Sequence, residues 1–407
     1  MKRNLLYLIS GLFILSMGAG CKKKDMGTPA ASTVANFSYV VTNKGYAPCE
    51  VEFTNSSLNA IGYLWDFGNG QTSTEVSPKI TYATPGLYSV KLTCTGENSV
   101  YYNQLVKTLV VNVKDPNAGL TQVFYFTTRG TIGNAHMVVL DDTPPLIQDF
   151  VPADMTRPYG IAVDTATRKV YITDYLNQAI YRYNADGTDG QKILDANVPG
   201  QEIVGDAEAI FVLGDKIYWG RTGGIYRANL DGSNPELFIA MNGGPLEPQY
   251  PIDMQYDPAT NKIYLVNDKT DYLGGFWSVN FDGTDFTQIA IDAPGTSDVD
   301  GTAMELDLRN GKAYLVLYGS AGTVAPENGV FMCNLDGTAF TKIGEFGAKA
   351  TWGITLDTKR DKLIWGYKVS NSAADGKIIR ANLDGSSPED WITGVSPHAM
   401  QVVWIKL

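Results

Sequence analysis

"KIYWGRTGGIYRANLDGSNPE", residues 216–236, admits two readings. Its "LDGSN" resembles an acidic, glycine-containing calcium loop, and it is equally a turn between two apolar runs. A calcium loop needs oxygen-bearing residues at alternating positions and a distal bidentate Glu. A hairpin needs only a tight turn with positive φ. Recurrence decides between them. Related stretches are "RKVYITDYLNQAIYRYNADGTDGQKIL" (168–194), "NKIYLVNDKTDYLGGFWSVNFDGTDFTQIA" (261–290), "GKAYLVLYGSAGTVAPENGVFMCNLDGTAFTKIG" (311–344) and "DKLIWGYKVSNSAADGKIIRANLDGSSPEDWIT" (361–393). "TQVFYFTTRGTIGNAHMVVLDDTPPLIQDF" (121–150) is a sixth. Phe124, Tyr171, Tyr218, Tyr264, Tyr314 and Ile364 align at spacings of 46 to 50 residues. The Asp-Gly pair recurs at 186, 231, 282, 336 and 384, with Asp141-Asp142 in the first unit. Five turns at one place in a repeat are expected, whereas five calcium loops that all lack a distal Glu are not.

Most units are preceded by a further strand and turn, as in "GIAVDTATRK", "PIDMQYDPATNK", "TAMELDLRNGK" and "WGITLDTKRDK". A four-stranded unit of this length cannot bury both faces alone, and radial stacking of such units into a propeller solves that. The unit at 121–152 lacks its first strand. "SPHAMQVVWIKL" (396–407) supplies it, so residues 120–407 are expected to form six blades closed by the C-terminal strand. The spacing, the recurrent "NLDG" and Tyr171-Ile-Thr-Asp174 resemble the YWTD propellers of the low-density lipoprotein receptor family, with NHL propellers close behind. That resemblance implies bonds between blades through the signature Asp, which Asp174 keeps.

Residues 34–115 form a separate block of short alternating runs, "CEVEFTNSS", "YLWDFGNGQ", "KITYATPGLYSVKLTC" and "KTLVVNV", which reads as a β-sandwich. Trp65 and Phe67 alternate with Asp66, so the rings point inward while Asp66 secures the turn allowed by Gly68 and Gly70. "WDFGNG" followed by "YATPGLYSVKLT" resembles the PKD domain, an immunoglobulin-like sandwich. Asn69 stands where that family has a second Asp. Cys49 and Cys94 share inward parity, and both a disulfide and two free thiols remain open. The whole chain is thus read as all-β.

The chain opens "MKRNLLYLISGLFILSMGAGC", with two basic residues, an apolar stretch and small residues before Cys21. Residues 1–20 read as a secretory signal too short to span a membrane. The small residues before the cysteine resemble the lipobox of bacterial lipoproteins, which implies acylation of Cys21. Residues 21–33 read as a flexible tether whose opening run Cys21-Lys-Lys-Lys-Asp25 is similar to that of many Bacteroidota lipoproteins. Lys22, in place of the Asp that marks inner-membrane retention, implies by the same resemblance an outer-membrane lipoprotein facing either the cell surface or the periplasm. Removing residues 1–20 takes away Lys2 and Arg3 and leaves 43 acidic against 30 basic residues. Such a surface argues against nucleic acid as a partner.

Propeller ligands meet the loops that enter each innermost strand and those between second and third strands. The entering loops carry Arg157, Tyr159, Asp206, Glu208, Tyr250, Asp253, Asp298, Asp300, Trp352 and His398. The intervening loops are longest in "NDKTDYLGG", "LYGSAGTVAPENG" and "GYKVSNSAADG". Arg157, Tyr159, Tyr250, Trp352 and His398 are the candidate ligand-binding residues; the aromatics suit stacking on a sugar or gripping a peptide, and packing explains them equally. Asp206, Glu208, Asp253, Asp298 and Asp300 come from three consecutive loops, and oxygen ligands in that number would hold Ca²⁺. Six-bladed gluconolactonase-like enzymes place one divalent ion there, so a Ca²⁺- or Mg²⁺-dependent lactonase or lyase stands as the alternative. The chain has no Gly-x-Ser-x-Gly elbow, metal-binding His pair, phosphate loop or Cys-x-x-Cys, and its two histidines, His136 and His398, both fall in the closing blade. The favoured reading is a non-catalytic lipoprotein that binds or scaffolds a glycan or protein and needs no cofactor.

Overall fold

The computed structural model describes residues 32–97, 102–128, 134–142, 144–150, 155–241, 249–267, 275–290, 299–319, 328–348, 351–369 and 375–407. The signal segment, Cys21, Asp298 and most of the three long intervening loops lie outside these residues. The chain divides into two compact units, Met1–Ala118 and Gly119–Leu407.

In the first unit, Trp65 and Phe67 point inward because their strand alternates. Trp65 is fully buried, with its ring centroid 5.0 Å from Phe37 and 5.4 Å from Phe53. Two sheets enclose this cluster. One contains Phe37–Val41, Cys49–Asn55 and Lys79–Tyr82; the other contains Thr72–Ser73, Gly62–Asp66, Gly86–Thr95 and Tyr102–Val113. Asp66 Oδ1 accepts the Gly68 N–H at 3.0 Å, and Gly68 and Gly70 take φ of 75° and 86°, as the motif requires. Ser32 and Thr33 already belong to this packing: Asn59 Nδ2 donates to the Ser32 carbonyl, and Thr33 Oγ1 donates to that of Asn59. Cys49 and Cys94 are buried free thiols, and Cys94 Sγ lies 3.2 Å from Ser57 Oγ.

The second unit is a six-bladed propeller of four-stranded antiparallel sheets. Blade 1 joins Pro397–Ile405 to Thr121–Thr128, Asn134–Val139 and Gln148–Asp149, so the last strand closes the ring. Blade 2 is Pro158–Asp164, Lys169–Asp174, Ala179–Asn184 and Gln191–Asp195; blade 3 is Ile210–Leu213, Lys216–Arg221, Gly224–Asn229 and Glu236–Ala240. Blade 4 is Pro251–Asp257, Lys262–Asn267, Gly275–Asn280 and Thr287–Ala290; blade 5 is Val299–Asp307, Lys312–Gly319, Gly329–Asn334 and Thr341–Gly344. Blade 6 is Ile354–Asp357, Lys362–Tyr367, Lys377–Asn382 and Glu389–Thr393. Apolar residues on both faces of the middle strands, such as Ile217, Tyr218 and Trp219, pack against the neighbouring blades.

The Asp-Gly turns fix the outer hairpins of blades 2 to 6. In blade 3, Asp231 Oδ1 accepts the backbone N–H of Ser233 at 2.9 Å and its hydroxyl at 2.6 Å, and Asn229 Nδ2 donates to Ser233 Oγ at 2.7 Å. The same set recurs with Asp186, Asp282, Asp336 and Asp384. Gly232 has φ of 85°, and a Cβ there would run into the Ile193 carbonyl oxygen of blade 2. The turn therefore also sets how closely two blades approach.

Side chains on the innermost strands stitch the blades together around the axis. Asp253 accepts the Met304 N–H at 2.9 Å, Gln255 accepts that of Leu306 at 3.0 Å, and Thr355 accepts that of Val402 at 3.0 Å. Each bond crosses from one blade to the next and satisfies an amide at the ring's narrow centre.

Candidate functional site

Asp174, fully buried at the end of the second strand of blade 2, organises the loop that enters the same blade. Its carboxylate accepts the backbone N–H of Thr156 at 2.6 Å, of Arg157 at 3.1 Å and of Asn177 at 3.1 Å. These bonds stay within blade 2, which corrects the expectation that this Asp links neighbouring blades. Asn267 does the same in blade 4, accepting the Tyr250 N–H at 2.7 Å. A short acceptor at this point is required because the loop turns inward and leaves its amides without strand partners.

Arg157, positioned in this way, lays its guanidinium 5.1 Å from the ring centroids of both Tyr159 and Tyr175. Tyr159 in turn meets His398 at 4.3 Å and Trp352 at 5.9 Å, both edge-to-face. Behind them, Lys368 Nζ lies 3.4 Å from His398 Nδ1 and 5.3 Å from the Trp352 ring centroid. The residues come from blades 6, 1 and 2, so three consecutive blades converge on one side of the axis. His398 and Lys368 are fully buried and Tyr159 is 6% exposed, while Arg157, Tyr175 and Trp352 are half-buried at the surface.

Tyr159, Tyr250 and His398 were expected in loops open to a ligand, and the structure buries them. The cause is position: Tyr159 and His398 fall inside innermost strands and Tyr250 directly precedes one, where the adjacent blade covers them. The Tyr250 hydroxyl donates to Glu208 Oε1 at 2.8 Å, and burial, with the Glu208 charge beside it, raises its pKa far above the usual phenol value.

Asp206, Glu208 and Asp253 do not meet at one point. Asp206 is 3.2 Å from Arg221 Nε and accepts the Thr222 hydroxyl at 3.0 Å. Glu208 faces Tyr250. Asp253 accepts the Met254 and Met304 amides. Asp300 sits half-buried in the first strand of blade 5. Among the described residues, no group of three or more His, Cys, Asp or Glu side chains gathers to hold a metal ion. Asp206, Glu208 and Asp253 thus each face separate donors and not one common centre.

The axis is lined by groups that loop-based reasoning missed. Gln255, Glu305 and Gln401, all half-buried, line a cavity of about 160 Å³ together with Asp253, Phe211 and Val402. Nearer the aromatic cluster, Tyr159, Ile161, Ile210, Trp352 and Met400 bound a smaller one of about 30 Å³. Gln255 Nε2 donates to Glu305 Oε2 at 3.3 Å. Desolvation pushes the Glu305 carboxyl up to about 8, with Asp253 adding to the shift, and pushes Asp253 up to about 7. Both face the channel, which is why they retain some accessible surface although the ring surrounds them. The signal for them was present: polar residues within otherwise apolar innermost strands, as in "PIDMQYD" and "TAMELD". Tyr175 and Lys368, just past the ends of second strands, carried no comparable signal.

The two histidines have different surroundings. His136 Nδ1 is 2.6 Å from Asp149 and its ring stacks on Phe126, and burial lowers its pKa more than Asp149 raises it.

Residues 28–113 match the family described as the PKD domain. The chain is 46% identical over 67 residues to the pre-pro-metalloprotease PrtV of Vibrio cholerae, a match covering 16% of this chain and only 7% of that protein. Among solved structures, a chain of the nidogen/laminin complex aligns at a TM-score of 0.54 and 17% identity, covering 69% of this chain and 98% of that one. This likeness shows the propeller fold alone. A gluconolactonase of Xanthomonas campestris aligns at a TM-score of 0.43 and 14% identity over 60% of this chain and 77% of that one.

Proposed function

We propose that the protein is a non-catalytic lipoprotein of the cell envelope, anchored through Cys21 in the outer membrane, that binds or scaffolds a glycan or protein through the propeller face around Arg157, Tyr175 and Trp352. The observation that carries this reading is a cation set among aromatic rings at the mouth of the axis. The axial cavities of about 30 and 160 Å³ fall below the roughly 300–1,000 Å³ that small-molecule sites occupy. The small described axial cavities favour a partner that meets the face, such as an extended glycan or a protein surface. The acidic balance supports a partner other than nucleic acid.

A glycan array probed with the mature protein and with Trp352→Ala tests the reading. Binding that Trp352→Ala removes is expected. One equivalent of divalent metal in the purified protein, lost in Asp253→Ala, would overturn it in favour of a metal-dependent lactonase or lyase. Radiolabelled palmitate incorporation, abolished by Cys21→Ser, tests the anchor.

A further inference from the structure

We infer that Arg157 seats a single oxyanion carried by an otherwise neutral saccharide, so that the face selects an acidic sugar; this rests on the proposed role of that face in ligand binding. Five other propeller arginines are matched to carboxylates, Arg221 to Asp206, Arg227 to Glu236, Arg309 to Asp307, Arg360 to Asp357 and Arg380 to Glu389, and Arg182 bonds the Leu230 carbonyl and the Gln191 side chain. Arg157 has no ion pair among the described residues, and its Nε is buried without an acceptor. A buried donor left without a partner is costly, and a charged one more so. The fold nevertheless fixes it there, through the backbone N–H groups of Thr156 and Arg157 donated to the Asp174 carboxylate and between the rings of Tyr159 and Tyr175.

The remaining N–H groups of this half-buried guanidinium form a fork matched to a carboxylate or sulfate. The half-buried rings of Tyr175 and Trp352 beside it offer apolar faces for the C–H surface of a sugar. A carboxylate on a protein partner would fill the same fork, and the peptide arm of the test below separates that case from a saccharide. The number of anionic groups is limited by the rest of the molecule. The net charge of −11 repels a polyanion, whereas a lone oxyanion responds to the nearest cation once salt screens the distant charges.

The test compares calorimetric binding of three probes: xylotetraose, the same oligosaccharide carrying one glucuronic acid, and one carrying a single sulfate. The anionic forms are expected to bind at least about tenfold more tightly than the neutral one, and the tighter of the two identifies the preferred oxyanion. Arg157→Gln should abolish that difference, Arg157→Lys should keep part of it, and raising salt from about 20 to about 500 mM should shrink it in the wild type. The salt series holds even if Arg157→Gln folds poorly. Equal binding of charged and neutral probes, lost in Trp352→Ala but not in Arg157→Gln, would overturn this inference and leave the binding face intact. Failure of all three probes, with Arg157-dependent binding of a peptide bearing a free C-terminal carboxylate, would overturn the saccharide assignment. Binding of the probes unaffected by Arg157→Gln and Trp352→Ala alike would sink both readings.

Discussion

Gly232 is constrained twice, by its φ of 85° and by the Ile193 carbonyl that fills the space where a Cβ would project. Gly214 in the same blade has φ of 62° and open space around it. Gly214→Ala should therefore cost only the left-handed backbone penalty of about 1–2 kcal/mol, and Gly232→Ala clearly more, because the blades must also move apart. Chemical denaturation of the two variants measures the difference, and equal losses would mean that the inter-blade contact is soft. The turn was legible in the sequence because Asp-Gly repeats in register. The second constraint was not, because it arises from how two blades pack. Glu305 gives a residue-scale test of a different kind. Its folded-state carboxyl, raised to about 8 from an ordinary 4.5, holds its proton after the unfolded chain has released its own. The contribution of Glu305 to stability is thus greatest in acid and falls as pH rises through the interval between those values. Thermal melts from about pH 5 to about pH 9 should show Glu305→Gln losing less stability than wild type. Parallel curves would show that Glu305 is solvated in the channel.

At the scale of the element, the innermost strands carry most of what loop-based reasoning could not find. Loops were expected to present Tyr159, Tyr250 and His398, and strands present or adjoin them instead. Strand parity places Gln255 and Glu305 on the axis, yet the side on which Asp174 or Asn267 gathers loop amides depends on the path of the loop and not on pattern. The closing strand was legible, since blade 1 lacks a first strand and Pro397–Ile405 alternates in the needed way. Its bonds are specific: Thr127 Oγ1 accepts the Ala399 amide and Thr355 Oγ1 accepts the Val402 amide, each at 3.0 Å. Truncation before Pro397 removes both, together with the ladder to Thr121–Thr128. The truncated propeller should lose its cooperative melt and bind a hydrophobic dye; a sharp transition near the wild-type temperature would show that five complete blades suffice. Thr355→Val, which removes one acceptor from a buried amide, should cost about 1–3 kcal/mol.

For the whole molecule, two units with separate cores predict two thermal transitions, one of which persists when residues 32–118 are expressed alone. Neither transition should shift when reductant is added, because Cys49, Cys94 and Cys333 are free thiols. A fall in the sandwich transition would instead reveal a bond between Cys49 and Cys94. Ring closure also has a consequence for how the protein is made. Blade 1 receives its second, third and fourth strands by Asp149, yet its first begins only at Pro397. At roughly 5–20 residues per second, synthesis leaves the inner edge of Thr121–Thr128 bare for tens of seconds, against about 1–10 μs for a hairpin to form. Its core, Val123, Phe124, Tyr125 and Phe126, is apolar and fully buried once the ring closes. Until then it is an open template for any passing strand. Before Pro397–Ile405 pairs with it, this edge is expected to be bound by a holdase chaperone, which crosslinking of a chain truncated before Pro397 would detect.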